Sequence, residues 1–193
     1  MTEIELKAHV DEPEKLRERL NKIAKFSLQV VRDDTYYGNG KVSIRIRKEN
    51  VKSANKTSLL FTYKRKEKRI QNGTVVEVND EHECILSESE PLEAFLKDAG
   101  FEVTLTKHKE VEDWCFINAV SVNGKVLSAT YELCLVPPLG YFLEIEILSP
   151  FSDEDSVLAV RKALESLLEK AGISKDKIEN RYYKEMLLSC AEV

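Results

Sequence analysis

Alternation of hydrophobic and polar residues dominates this chain and predicts strands. Near the start, Ile4, Leu6 and Ala8 fall on one face of an extended segment, and Glu3 and Glu5 fall on the other. This period of two is typical of a strand whose two faces meet different surroundings. The pattern predicts strands at 2–10, 28–37, 41–48, 57–65, 74–86, 101–110, 111–120, 125–136 and 141–149.

Turn signals separate several of the predicted strands. Asn72-Gly73 and Asn123-Gly124 are strong hairpin signals, because both residue types tolerate a positive φ. Gly38-Asn39-Gly40 and Pro137-Pro138-Leu139-Gly140 also indicate turns. Neighbouring strands joined in this way run antiparallel.

Helical spacing occurs in four segments. Leu16, Leu20 and Ile23 follow Pro13, which predicts a first helix with Asp11 as its N-cap. The other predicted helices are 91–99, closed by Gly100, then 153–171, opened by a capping box from Ser152 to Asp155, and roughly 178–190. Eight or nine strands with these helices predict an α+β domain, and a sheet of that size tends to curl or close. With 193 residues and no linker or repeat, we expect one domain, 1–193.

Like charges share strand faces. Acids pair with acids and bases with bases two residues apart: Glu3 and Glu5, Arg45 and Arg47, Glu81 and Glu83, Lys107 and Lys109, and Glu144 and Glu146. Any one of these strands would ordinarily be half exposed, with its polar face in water. Like charges on one face repel, however, unless an opposite charge lies between them. The set as a whole favours charged faces turned inward and apolar faces covered by helices.

A surface that offers both kinds of pair suits a metal–polyphosphate complex. Carboxylate pairs bind hard divalent cations through oxygen. Arginine binds phosphate oxygens through a bidentate fork, and lysine binds them as a point charge. The alternation therefore predicts a charged interior that takes a phosphate-rich ligand together with a metal ion.

Composition narrows the classes of protein. Charged residues make up 33% of the chain, but the net charge is −5, which argues against a general nucleic-acid binder. The four cysteines are scattered and contain no C-x-x-C pair, which argues against a disulfide framework or a thiolate zinc site. The sequence shows no signal-like apolar segment and no membrane-length apolar run. We expect a cytoplasmic protein that does not bind membranes.

The charged motifs occur in an order that resembles a known family. They are Glu3-Ile4-Glu5-Leu6-Lys7, Asp34-Thr35-Tyr36-Tyr37, Ile44-Arg45-Ile46-Arg47, Thr62-Tyr63-Lys64, Glu81-His82-Glu83, Lys107 with Lys109, Leu139-Gly140-Tyr141-Phe142-Leu143-Glu144-Ile145-Glu146 and Tyr182-Tyr183-Lys184-Glu185-Met186-Leu187. The first is similar to the E-x-E-x-K signature of the CYTH, or triphosphate tunnel metalloenzyme, family. The resemblance covers nearly the whole chain, and the second E-x-E with the bases between makes it specific.

The resemblance implies a closed eight-stranded antiparallel β-barrel, a tunnel with helices packed on its outside. Acids in the tunnel would hold Mg²⁺ or Mn²⁺, and the implied metal ligands are Glu3, Glu5, Glu144, Glu146 and Glu132. Bases would hold the triphosphate, and the implied phosphate contacts are Lys7, Arg45, Arg47, Lys64, Lys107 and Lys109. Glu81 and Glu83 would be further acids in the tunnel. Glu5, Lys7 and Glu146 are the implied catalytic residues.

The chain departs from the family pattern at two positions. Many members carry Asp ten residues before the second E-x-E, where this chain has Cys134, although some cyclase-like members keep an acid two residues earlier, as Glu132 does here. Lys109 stands where Arg is common, which would give up a bidentate phosphate contact.

The resemblance implies an enzyme that acts on a small-molecule triphosphate. Within the family, the sequence most resembles the class IV adenylyl cyclases, which convert ATP to cyclic AMP and pyrophosphate. The alternatives are an inorganic or thiamine triphosphatase, with tripolyphosphate or thiamine triphosphate as substrate, and a non-catalytic polyphosphate- or nucleotide-binding module. A homodimer is compatible with the family.

Overall fold

The computed structural model describes the backbone of residues 2–40, 42–71 and 74–191, and the side chains of residues 2–40, 42–63 and 82–190. The strands are β1 Thr2–Val10, β2 Lys25–Gly38, β3 Ser43–Val51, β4 Lys56–Gln71, β5 Thr74–Leu86, β6 Glu102–Val122, β7 Lys125–Val136 and β8 Gly140–Ser149. The helices are α1 Pro13–Ile23, α2 Glu90–Asp98, α3 Glu154–Ala171 and α4 Tyr183–Ala191, with short 3₁₀ turns at Lys52–Ala54 and Lys175–Lys177.

The eight strands form one antiparallel sheet in the order β1-β8-β7-β6-β2-β3-β4-β5. The predicted α+β class and the eight-stranded antiparallel sheet are confirmed. By internal contacts the chain divides into two compact units. The terminal unit comprises Met1–Val30 with Lys109–Val193, and the central unit comprises Val31–His108.

One strand prediction is wrong. The segments 101–110 and 111–120 belong to a single strand, β6, which runs for 21 residues. No glycine, proline or Asn-Gly pair separates the two segments, so nothing in the sequence turns the chain there. The irregularity lies later, where the pairing with β7 shifts between Phe116 and Val120. Asn118 has a φ of 56° within that shift.

Two helix starts also differ from the prediction. The last helix begins at Tyr183 and not near 178, because the preceding backbone pairs with β1. Ile178 forms a bridge with Ala8, and the amide of Glu179 donates to the carbonyl of Lys7 at 2.8 Å. The N-cap of α3 is Asp153, one residue after the predicted Ser152, and its carboxylate accepts from the amide of Ser156.

At α1 the N-cap is Glu12, without a side-chain cap, so the prediction of Asp11 is wrong. The carboxylate of Asp11 lies 2.7 Å from the ammonium of Lys177 instead. Within the described ranges, no helix combines the length and the apolarity that crossing a membrane would need.

The core of the terminal unit lies between the sheet and α3. Apolar residues of β1 and β8 pack against the buried face of that helix. The strand residues are Ile4, Ala8, Leu143, Ile145 and Ile147, and the helix residues are Val160, Leu164, Leu167 and Leu168. The helix keeps this face turned to the sheet because its apolar residues recur every three to four positions. The central unit has a smaller core around Tyr37, Ile44, Ile46 and Leu96.

Candidate functional site

In the terminal unit, strand register brings charged residues from three strands onto one face of the sheet. Lys7 of β1 lies opposite Glu144 of β8, and Glu144 lies opposite Glu132 of β7. Glu5 lies opposite Glu146 in the same way. Directly opposed residues in an antiparallel sheet point to the same side. The register therefore aligns the predicted metal ligands with the predicted lysine.

This charged face is largely buried, although the apolar face of the same strands already packs against α3. Lys7, Lys109, Glu132 and Glu144 are each at most 9% exposed. Buried charges are costly unless they are paired and hydrogen-bonded. The sequence-based expectation of charges away from bulk solvent is therefore met at these four residues. Glu3 and Glu5 are exposed, and Glu146 is half-buried.

Lys109 holds the centre of this face. Its ammonium donates to Oε2 of Glu132 at 3.0 Å and also to Oε2 of Glu144, so that one cation lies between two carboxylates. The thiol of Cys134 lies beside the same two oxygens, 3.9 Å from that of Glu132 and 3.7 Å from that of Glu144. We call Glu132, Cys134 and Glu144 the ligand trio.

Lys7 is engaged by the segment that leads into α4. Its ammonium donates to the carbonyl of Arg181 at 2.5 Å and lies 4.2 Å from the centre of the Tyr183 ring. Burial lowers the pKa of Lys7, and the carboxylates of Glu144 and Glu5 partly offset that effect. The ammonium is thus held in place by a backbone oxygen and an aromatic face.

Acidic charge is in excess on this face. Burial raises the pKa of Glu5 to about 7, and repulsion from Glu144 adds to the effect. Glu5 is accessible to solvent, although protein atoms surround its carboxylate on most sides. On this face the carboxyl groups of Glu5, Glu132, Glu144 and Glu146 outnumber the ammonium groups of Lys7 and Lys109. A further cation would offset that excess.

The residues of this face fit a divalent cation. One donor atom each from Glu132, Cys134 and Glu144 can be chosen so that all three lie within 4.8 Å of one another, and all three residues are buried. Carboxylate oxygens are the ligands of Mg²⁺ and Mn²⁺. The thiol is a softer donor than either ion prefers, and it stands where an acid would complete the set.

The central unit has a second cluster, which is built around an acid. Asp34 accepts from Nε of Arg47 at 2.7 Å and from its NH2 group at 3.1 Å, and the ammonium of Lys107 lies 3.1 Å from it. Burial alone would raise the pKa of Asp34, but the two cations hold it well below its ordinary value. This carboxylate is therefore ionised and lies between two bases.

Arg45 stands apart from that cluster. Its NH2 group donates to the hydroxyl of Thr62 at 3.0 Å, and that hydroxyl donates to Glu83 at 3.0 Å. Its Nε is buried and has no hydrogen-bond partner among the residues that the structure describes. An unmatched buried guanidinium N–H costs free energy until an acceptor arrives, which is what a phosphate oxygen would supply.

The structure groups the predicted residues by unit. Glu5, Lys7, Lys109, Glu132, Glu144 and Glu146 lie together in the terminal unit, with Glu3 at the exposed end of the same strand face. Arg45, Arg47, Lys107 and Glu83 lie in the central unit. Lys64 and Glu81 lie outside the residues whose side chains are described.

Sequence reasoning gave no role to four residues that the structure places at these clusters. Asp34 was visible as an acid on the same strand face as Arg32 and Tyr36, and that alternation was the signal for it. Cys134 was noticed only as a departure from a family pattern. Tyr183 lies in a family-like motif that assigns it no contact, and Arg181 has no signal, because the position of both depends on how the chain returns to β1 after α3.

Comparisons with known proteins agree with this fold. The family model described as CYTH domain matches residues 1–183. No curated protein sequence matches the chain. Among solved structures, the PH1819 protein of Pyrococcus horikoshii OT3 is 24% identical, with 98% of this chain and 99% of that chain covered and a TM-score of 0.74.

Two further structures are more distant in sequence. A candidate adenylate cyclase from Vibrio parahaemolyticus is 18% identical, with 96% and 97% of the two chains covered and a TM-score of 0.69. The candidate adenylyl cyclase HpAC1 from Hippeastrum, described as having a dominant triphosphatase activity, is 14% identical, with 97% and 95% covered and a TM-score of 0.62. At these identities the likeness establishes the fold.

Proposed function

The chain belongs to the CYTH family, and from this premise we propose that it is a divalent-metal-dependent triphosphatase. Members of the family typically act on triphosphates with the help of divalent metal ions. The observation that carries the proposal is the buried charged face of the terminal unit, where Glu132 and Glu144 flank the ammonium of Lys109. Binding proteins for simple anions have no need of such an acidic excess next to buried lysines.

In the proposed site, the acids hold the metal ion and the bases hold the phosphate chain. Glu3, Glu5, Glu132, Glu144 and Glu146 are the proposed metal ligands, and Lys7, Arg45, Arg47, Lys64, Lys107 and Lys109 are the proposed phosphate contacts. When bound, the divalent ion would neutralise phosphate charge and lower the barrier to attack. Phosphoryl transfer needs positioning and charge neutralisation more than covalent chemistry.

The chain's own groups would supply that positioning. The ammonium of Lys7 is fixed by the carbonyl of Arg181, so that its remaining donors have a defined direction. The buried Nε of Arg45 offers a fixed N–H to a phosphate oxygen. Such preorganised donors stabilise charge that develops on the leaving phosphate without having to move.

The proposal includes closure of the sheet into a tunnel. The sheet order runs from β1 at one end to β5 at the other. In the proposed closed form, the charged faces of the strands would line the tunnel.

Hydrolysis is favoured over cyclisation because the described tyrosines near the site are engaged in packing or hydrogen bonds and do not form a surface for a nucleotide base. Tyr37 is buried in the core of the central unit, and Tyr36 donates a hydrogen bond to Asp34 at 3.4 Å. Tyr131 is also fully buried, and its hydroxyl donates to the carbonyl of Leu167. Water as the nucleophile needs no base-binding surface. The triphosphatase activity ascribed to the Hippeastrum protein supports the same choice.

The test is a panel of tripolyphosphate, ATP and thiamine triphosphate, each with Mg²⁺ or Mn²⁺, in which orthophosphate and cyclic AMP are measured. We expect orthophosphate from tripolyphosphate at the highest rate. Cyclic AMP from ATP without orthophosphate would instead establish the adenylyl cyclase to which the sequence is closest in look, a reading that the Vibrio neighbour's description also suggests.

The same panel separates an enzyme from a binding module. In an enzyme, Glu5→Gln and Glu146→Gln should each lower the turnover at least about 100-fold, because each removes a proposed metal ligand. The matched control is Glu88→Gln, which changes an exposed acid outside both clusters. A protein that binds tripolyphosphate but yields no product with any metal would contradict the proposal.

A further inference from the structure

We propose that Cys134 is a metal ligand, and that its thiolate makes the site select thiophilic divalent cations such as Zn²⁺ and Co²⁺ over Mg²⁺. This inference rests on the metal dependence in the proposed function, but not on which triphosphate is cleaved. It concerns the ligand trio alone, which lies wholly within the terminal unit.

The spacing of the trio suits a tetrahedral ion. In zinc sites the metal–sulfur distance is about 2.3 Å and the metal–oxygen distance about 2.1 Å, so tetrahedral angles place sulfur and oxygen about 3.6 Å apart. The thiol of Cys134 lies 3.7 Å from Oε2 of Glu144 and 3.9 Å from Oε2 of Glu132. Small movements of flexible carboxylates would complete the geometry.

The trio already holds a cation. The ammonium of Lys109 donates to the same two carboxylate oxygens that flank the thiol, and it also interacts with the sulfur of Cys134. A positive charge is therefore stable at this place in the fold. A divalent ion would take that place, and the displaced ammonium would turn towards the phosphate chain, as a predicted phosphate contact should.

The donor set decides which ion is preferred. Two carboxylates and one thiolate form a mixed hard and soft set. Mg²⁺ takes oxygen ligands in near-ideal octahedra and gains little from sulfur, whereas Zn²⁺ and Co²⁺ bind thiolate well. Binding replaces the S–H bond with a metal–sulfur bond and releases one proton to solvent. No oxidant or reductant is involved.

The alternative role of Cys134 is packing. Cysteine often behaves as a small buried hydrophobic residue, and Cys134 is fully buried. A packing residue, however, has no reason to lie between two carboxylates and an ammonium. The two roles differ in one measurable property, which is a sulfur–metal bond.

The experiment is a Co²⁺ titration of the tag-free, metal-free protein, followed by absorption spectroscopy. Thiolate coordination gives a sulfur-to-cobalt charge-transfer band in the near ultraviolet, which carboxylate ligands alone do not give. We expect the band in the natural chain and in Cys115→Ser, the control for a half-buried thiol outside the trio. We expect Cys134→Ser to lose it and to bind Co²⁺ at least about tenfold more weakly.

A second substitution tests selectivity. Cys134→Asp supplies a hard oxygen donor at the same place, so it should bind Mg²⁺ more tightly than the natural chain does and bind Zn²⁺ less tightly. Calorimetric titration of each protein with Mg²⁺ and Zn²⁺ measures the ratio. If the variants do not fold, X-ray absorption of the zinc-loaded natural chain and Cys115→Ser still reports whether a sulfur atom lies about 2.3 Å from the ion.

The outcomes are separable from those of the proposed function. A band that is absent from the natural chain, or that persists in Cys134→Ser, overturns the inference. A Cys134-dependent band in a protein that cleaves no triphosphate leaves the metal site standing and defeats the proposed function. Efficient triphosphate cleavage without any sulfur–metal bond supports the proposed function and overturns the inference about Cys134.

Discussion

The two units hold charged clusters of opposite composition. In the terminal unit one ammonium, that of Lys109, lies between the carboxylates of Glu132 and Glu144. In the central unit one carboxylate, that of Asp34, lies between Arg47 and Lys107. Carboxylates outnumber the cation in the first cluster, and cations outnumber the carboxylate in the second. The difference teaches that the two units carry opposite excesses of charge, which is why we propose a metal ion for the first and phosphate oxygens for the second.

The largest effect should come from the carboxylate of the central unit. Asp34→Asn removes the carboxylate that pairs with Arg47 and Lys107, two largely buried cations. Loss of one partner from a buried ion pair costs about 3–5 kcal/mol. We expect a fall of that size in the free energy of unfolding, measured by urea denaturation of the metal-free protein.

The matched change in the terminal unit is Glu132→Gln, and it should cost less. Lys109 keeps the carboxylate of Glu144, and the excess of acid on that face falls. Equal losses of stability in the two variants would break the comparison between the clusters.

The next prediction compares the effects of replacing two arginines on the same strand. Arg47 is bound to Asp34, whereas Arg45 has a buried N–H without a partner among the described residues. Arg45→Gln gives up the hydrogen bond to Thr62 but leaves the Arg47–Asp34 pair intact, so it should lower stability only modestly. It should weaken tripolyphosphate binding about tenfold or more, because it removes a charge-assisted contact. Calorimetric titration and urea denaturation measure the two quantities.

Arg47→Gln is the control for that experiment. It should lower stability by more than Arg45→Gln does, because it leaves Asp34 with Lys107 as its remaining close cation. If Arg45→Gln proved the more destabilising of the two, the unpaired N–H of Arg45 would not be a site prepared for an anion.

The smallest effect is a difference in pH dependence. The pKa of Glu5 is raised from 4.5 to about 7 in the folded protein. The unfolded chain therefore loses this proton first, and the contribution of Glu5 to stability falls as the pH rises from about 4.5 to about 7. In the metal-free protein, Glu5→Gln should remove that fall. Urea denaturation at several pH values measures it.

Asp34 should behave in the opposite sense. Its pKa is lowered, so its contribution to stability is present above its ordinary value of 3.8 and is lost as the pH falls below that value. Glu18→Gln, on the exposed face of α1, is the control for removal of one acid. A wild-type stability that does not respond to pH between 4.5 and 7 would contradict the account of Glu5.

Much of this arrangement could be predicted from the sequence, because strand faces follow from alternation. The pairs Glu3 with Glu5 and Glu144 with Glu146 do lie on a shared face in the terminal unit. Their partners on other strands could not be predicted, because the sequence of one strand does not determine its register with a distant strand. Lys107 and Lys109 illustrate this limit: two residues apart, they contact acids of different units, Asp34 and the Glu132–Glu144 pair.

The contact between Lys7 and Arg181 has a consequence for folding during synthesis. Its two residues are separated by 174 positions, and the strand pair that brings Glu144 to Lys7 also joins the first strand to the eighth. A chain emerging from the ribosome must therefore carry β1 without its neighbours until nearly all of the remaining strands have been made. The central unit, whose residues are contiguous from Val31 to His108, has no such delay. Synthesis thus completes the central unit first and the terminal unit last.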